Sequence, residues 1–160
     1  MKIYLENTLN ESGESGTWFT MPVNLRAVEY ILGKGSYVVT KTELPFFLEK
    51  GVYDLEELNY VCAAVESFEN SFPREDVIEI QKKWFSSIFD LLNHVEELKY
   101  WPNCSSMLQV VERMMGNSGN ELGNLPEGLK KYVDIDRYAE KLEAERDFLV
   151  TETGVYERRK

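Results

Sequence analysis

The hydrophobic period of this chain shifts from mainly alternating to mainly helical at Asp54, and that shift limits what it can fold into. Early on, apolar residues alternate: Lys2 to Glu6 sets Ile3 and Leu5 on one side, Thr17 to Met21 carries Trp18 and Phe19, and Ser36 to Thr42 carries Tyr37, Val38 and Val39. The polar stretch Asn10 to Gly16 reads as the turn joining the first two runs. Between the second and third runs, Asn24 caps a short helix with Leu25, Val28, Ile31 and Leu32 inward, stopped by Gly33. From Asp54 the spacing becomes helical. A helix packed on a small antiparallel sheet satisfies the first part most simply, so the fold class expected is α+β.

Asp54 with Glu57 makes a capping-box-like start, and Leu55, Leu58, Val61, Cys62, Val65 and Phe68 run down one face as far as Asn70. Pro73 breaks that helix. A second is expected from Arg74 to Leu92 with Val77, Ile80, Trp84, Ile88 and Leu91 inward, its apolar arc widened by Phe85 and Phe89. A boundary is placed at Tyr100 to Cys104. Asn103 or Ser105 then starts a helix with Met107, Leu108, Val110, Val111 and Met114 apolar, ending at Gly116. Asn117 to Asn124 is a loop by composition, Pro126 suits a helix's first turn, and Asp134 caps a helix with Ile135, Tyr138, Ala139 and Leu142 on its apolar side. A hairpin of Asp147 to Thr151 and Val155 to Arg159 closes the reading. The division expected is 1–60, an N-terminal α+β subdomain; 61–103, a helical middle; and 104–160, a C-terminal α+β subdomain of helices plus hairpin.

The chain of 160 residues carries a net charge of −10, from 28 acids against 18 bases. That disfavours nucleic acid and anionic membrane as direct ligands and favours a cationic partner, or simply solubility. No early apolar run qualifies as a signal peptide and no stretch approaches a membrane span, so a cytoplasmic protein is expected. Cys62 and Cys104, far apart, read as buried free thiols. Chemistry-bearing motifs are missing. Gly33-Lys34-Gly35-Ser36 fails as a phosphate loop because Val28 stands where its first glycine is needed. His94 has no nucleophile motif beside it, and the pairs Glu56-Glu57, Glu75-Asp76 and Glu96-Glu97 sit at adjacent positions that do not converge on one substrate. No cofactor, no metal and no enzymatic activity are expected.

The helix after Asp134 holds the most pointed pattern. Asp136, Glu140 and Glu143 fall at i, i+4 and i+7, one stripe with steps of roughly 6 and 4.5 Å along the axis. Like charges at i, i+4 cost a helix about 0.2–0.5 kcal/mol per pair. Two accounts fit: Arg137 and Lys141 neutralise an ordinary solvated face, or the row is offered to a basic partner.

Several segments in order carry a resemblance. They are Gly16-Thr17-Trp18-Phe19-Thr20-Met21-Pro22, Glu43-Leu44-Pro45-Phe46 and Asp54-Leu55-Glu56-Glu57-Leu58-Asn59. Leu125-Pro126, Tyr132-Val133-Asp134, Tyr138, Phe148, Thr151 and Gly154-Val155-Tyr156-Glu157 complete them. With these the chain resembles the ArdA antirestriction proteins of conjugative elements and phages. The resemblance implies an elongated, three-part α+β molecule, a homodimer joined through its C-terminal part, and a curved surface of carboxylates imitating the phosphates of B-form DNA. Such a protein would occupy the DNA-binding groove of a type I restriction-modification enzyme and block cleavage, and often methylation. The partner surface implied comprises Glu43, Glu49, Asp54, Glu56 and Glu57; Glu66, Glu69, Glu75, Asp76, Asp90, Glu96 and Glu97; and Asp134, Asp136, Glu140 and Glu143. For the dimer it implies Tyr132, Val133 and Phe148.

The chain departs from that pattern. Lys41-Thr42-Glu43 stands where the family has Asp-Tyr-Glu, Asn103-Cys104-Ser105-Ser106 is uncharged where relatives carry acids, and the net charge is modest for the family. The alternative function is an acidic interaction protein that binds another basic DNA-binding or regulatory protein without antirestriction activity.

Overall fold

The computed structural model describes residues 1–9, 16–68 and 71–160. The chain divides into two units, Met1–Asn93 and His94–Lys160. Among the described residues there are seven α-helices and two antiparallel sheets, an α+β fold.

In the first unit β1 (Lys2–Asn7) lies between β2 (Gly16–Thr20) and β3 (Tyr37–Glu43), with the two-residue β4 (Gly51–Val52) at the edge. Ile3 and Leu5 are fully buried, as their alternation requires. The turn expected at Asn10 to Gly16 falls, up to Ser15, outside the described residues; Gly16 itself opens β2. Helix α1 (Leu25–Leu32) starts on Asn24, whose side chain accepts from the backbone N–H groups of Arg26 and Ala27, and ends at Gly33 with φ of 81°, a conformation glycine adopts at no steric cost. Only Val28 and Leu32 of α1 are buried. Leu25 and Ile31, expected inward, are exposed. They lie about 60° to either side of Val28 round the helix, flanking the narrow buried stripe.

Helix α2 (Leu55–Ser67) is capped by Asp54, which accepts from Glu56 and Glu57 N–H, and buries Leu55, Leu58, Val61, Cys62 and Val65. Burial of each large aliphatic side chain stabilises the unit by about 1.5–3 kcal/mol. Phe68 is the C-cap, and the remainder of the face expected as far as Asn70 lies outside the described residues.

The single helix expected over Arg74 to Leu92 is three pieces: a 3-10 turn at Arg74–Asp76, α3 (Val77–Trp84) and α4 (Ile88–Asn93). The break is made by Ser86 and Ser87. Ser86 N–H and Oγ donate to Asp90 at 3.0 and 3.1 Å, and Asp90 N–H donates to Ser87 Oγ at 3.1 Å. Local side-chain bonds thus replace the helical ladder and restart it. Val77, Ile80, Phe85, Ile88 and Leu91 are buried, while Trp84 is half-buried.

The second unit is built on β7 (Gly154–Arg158), flanked by β6 (Asp147–Val150) and β5 (Leu98–Pro102). Strand β5 occupies most of the stretch read from sequence as a boundary. Helix α5 (Met107–Gly116) is capped by Ser106, not by Asn103 or Ser105. Gln109 N–H donates to Ser106 Oγ while Ser105 N–H donates to the Gln109 side chain, and Asn103 turns the chain at φ of 57°. The short α6 (Glu127–Lys130) follows Pro126, and α7 (Ile135–Glu145) is capped by Asp134. Trp101, Met107, Val110, Val111, Met114, Leu142 and Val155 form the core, with Tyr138 and Phe148 packed at its margin.

Candidate functional site

The acids singled out in the sequence take three kinds of position. In the first unit Glu43, Glu49, Asp54, Glu56, Glu57, Glu66 and Glu75 are exposed. Glu69 lies outside the described residues. Asp76 is a correction: only 3% of its surface is exposed, so it is no part of a carboxylate surface. It stands where the 3-10 turn passes into α3, directly before fully buried Val77, and is drawn inward with it. Asp90 is half-buried and accepts the Ser86 bonds that restart the helix.

In the second unit Glu96 is exposed, whereas Glu97 is half-buried and paired with Arg158 Nε at 2.8 Å, which ties the turn before β5 to β7. Asp134, Asp136, Glu140 and Glu143 are all exposed on α7. Asp134 spends one carboxylate oxygen on Arg137 N–H at 3.1 Å. No ion pair among the described residues involves Asp136, Glu140 or Glu143. Lys141, one of the two bases that the solvated-face account sets against the stripe, lies 3.9 Å from Glu145.

The model of the antirestriction protein family ArdA matches residues 8–157, nearly the whole chain. The chain belongs to the ArdA family. No curated protein matches it. Membership makes this an antirestriction protein at the family's level of description.

The ArdA chain also holds a polar network that spacing did not reveal. Tyr138 Oη and Arg146 Nη2 both donate to Glu121 Oε1, at 2.7 and 2.8 Å. Arg146 Nη1 reaches Glu157 Oε1 at 3.4 Å, and Arg159 Nη2 reaches Glu157 Oε2 at 3.2 Å. The Glu157 side chain is 4% exposed. The Tyr138 hydroxyl, ahead of its own N–H and the Arg146 guanidinium, holds the Glu121 carboxyl below the usual carboxylate range. Burial first, then donation to Glu121, pushes the Tyr138 phenol up to about 12. One sign was legible: Glu157 follows Val155 and Tyr156 in a strand whose residues are buried on both faces. Of its partners, Arg159 stands two residues on, whereas Arg146 comes from a helix end that no sequence spacing links to it.

Of the residues expected at a dimer contact, Tyr132 is 76% exposed. Val133 and Phe148 are half-buried against the core. Tyr132 follows α6, and Lys131 Nζ stands 5.2 Å from its ring centre. His94, at the start of the second unit, is half-buried. Among the described residues no group of acids, cysteines and histidine could hold a metal ion, and no helix is long and apolar enough to cross a membrane.

Proposed function

We propose that this ArdA protein blocks restriction by presenting carboxylates in place of DNA phosphates to the DNA-binding groove of a type I restriction-modification enzyme, stopping cleavage. The observation that carries the reading is the row Asp136, Glu140 and Glu143: exposed, on one line of α7, and without ion pairs among the described residues. Its axial steps of roughly 6 and 4.5 Å are coarser than the one charge per about 1.7 Å of B-form DNA. The row therefore represents a few phosphates, and exposed acids elsewhere, Glu43, Glu49, Glu56, Glu57, Glu66, Glu75 and Glu96 among them, supply the rest. Mimicry of the bases is unnecessary, because enzymes of this kind take much of their DNA affinity from the backbone.

Both units carry a share of these acids, and a homodimer joined near Tyr132, Val133 and Phe148 would repeat the surface about a two-fold axis. The protein would act in the cytoplasm, where the enzyme and its DNA meet. The test is cleavage of DNA by purified type I enzymes from several families, titrated with this protein at physiological salt beside a DNA-displacement assay. Stoichiometric inhibition with displacement of DNA supports the reading. A folded protein that inhibits none of them favours a different basic partner.

A further inference from the structure

Helix α7 carries the acidic row but has little to hold it. Of its eleven residues only Ala139 and Leu142 are buried, with Ile135 and Tyr138 at the margin of the core. Ala139 and Leu142 lie on a single line, so apolar packing fixes how close α7 lies to α5 but resists rolling about that line only weakly. The repulsion between Asp136 and Glu140 works against the helix as well. An acidic row that rolled would present its carboxylates over a range of directions, and a partner would have to order them on binding.

We infer that Arg146 is the positioning residue that stops this roll, and that partner binding by the α7 row depends on it. The inference rests on the reading of α7 as partner-facing. Arg146 is the C-cap of α7, its N–H bonded to Leu142 O at 2.9 Å. Its guanidinium forks between Glu121 and Glu157, while Tyr138, two turns earlier, donates to the same Glu121 oxygen. Both carboxylates stand on firm ground. Glu157 lies in the central strand β7, and Glu121 sits in a loop that Asn120 braces by donating to Met114 O and Asn117 O and accepting from Leu122 and Gly123 N–H. The helix is thereby tied at two heights to a loop and at one to the sheet. A planar fork suits that geometry, and an ammonium point charge does not.

Charge and position predict opposite signs. Arg146→Gln makes an acidic protein more acidic, so a role through charge alone would tighten binding to a basic partner. The positioning role predicts that inhibition of a purified type I enzyme that the wild-type protein inhibits weakens about fivefold. Arg146→Lys, with unchanged net charge, weakens it in the same direction. In the background of Asp136→Asn, Glu140→Gln and Glu143→Gln together, Arg146→Gln adds no further loss, because the row it positions has gone. Hydrogen exchange supplies the second readout: amides of 135–145 exchange faster in Arg146→Gln while those of α5 keep their protection.

Inhibition that is unchanged or stronger in Arg146→Gln, or a loss that adds fully to the triple variant, overturns the inference. If no type I enzyme responds to the wild-type protein, the functional reading fails, and the exchange experiment then decides the positioning role alone. Faster exchange confined to α7 upholds that role; unchanged exchange removes it.

Discussion

Lys141 Nζ lies 3.9 Å from the Glu145 carboxylate, one turn further along α7, and about 100° round the helix from Glu140. Both partners are more than half exposed, so the pair adds little to stability. Its consequence is directional: one of the two bases beside the acidic row is turned away from it. Lys141→Gln should leave the melting temperature essentially unchanged and strengthen inhibition about twofold at low ionic strength, the gain shrinking as salt screens it. Inhibition titrations at two salt concentrations check this.

Buried and exposed acids should behave differently. Glu75→Gln removes one of many exposed carboxylates, so it should leave stability alone and change inhibition slightly, as should any single exposed acid on this surface. Its neighbour Asp76 is buried, and Asp76→Ala should lower the unfolding free energy by about 1–3 kcal/mol. Urea unfolding of the two variants separates the roles.

Gln81 treats Phe47 as a neighbouring strand would. Its Nε2 donates to Phe47 O and its Oε1 accepts from Phe47 N–H, both at 2.9 Å, from a side chain held in a residue only 3% exposed. Gln81→Leu keeps the volume and strands both backbone groups, for a loss of about 1–3 kcal/mol. Chemical denaturation should show it in the first unit, with exchange protection in α7 of the second unit unchanged.

The Glu121 and Tyr138 shifts set the sign of the pH dependence. Glu121, held below its ordinary range, binds protons less readily folded than unfolded. Its contribution is therefore present above the ordinary carboxylate pKa and lost as pH falls through the folded value. Tyr138, raised from 10.0 to about 12, contributes fully below 10.0 and loses that contribution as pH climbs towards about 12. In Glu121→Gln the acid limb of the stability curve should flatten, and the Tyr138 phenol, followed by difference absorbance against Tyr138→Phe, should titrate at lower pH than in the wild type.

What the sequence disclosed was local. Alternation in β1, the caps at Asn24, Asp54 and Asp134, and the acidic row of α7 depend on residues within a turn of one another, and all stand where spacing put them. What it concealed depends on distant partners. Strand β5 is recognisable only by its pairing with β7, some fifty residues away in the chain. The inward turn of Asp76 and the Glu121–Arg146–Glu157 network are likewise set by packing that periodicity does not encode. The helix break at Ser86 and Ser87 was within reach. A serine three residues before Asp90 is a capping pattern, set inside an otherwise continuous apolar face.

The central claim, that exposed carboxylates stand in for phosphates, is tested most directly by the salt dependence of binding to a type I enzyme, measured in competition with DNA. The account predicts mutually exclusive binding, with affinity falling steeply and linearly on a log–log plot as salt rises. It also predicts a shallower slope for the Asp136→Asn, Glu140→Gln, Glu143→Gln variant. Binding that coexists with DNA, or that is indifferent to salt, would contradict it.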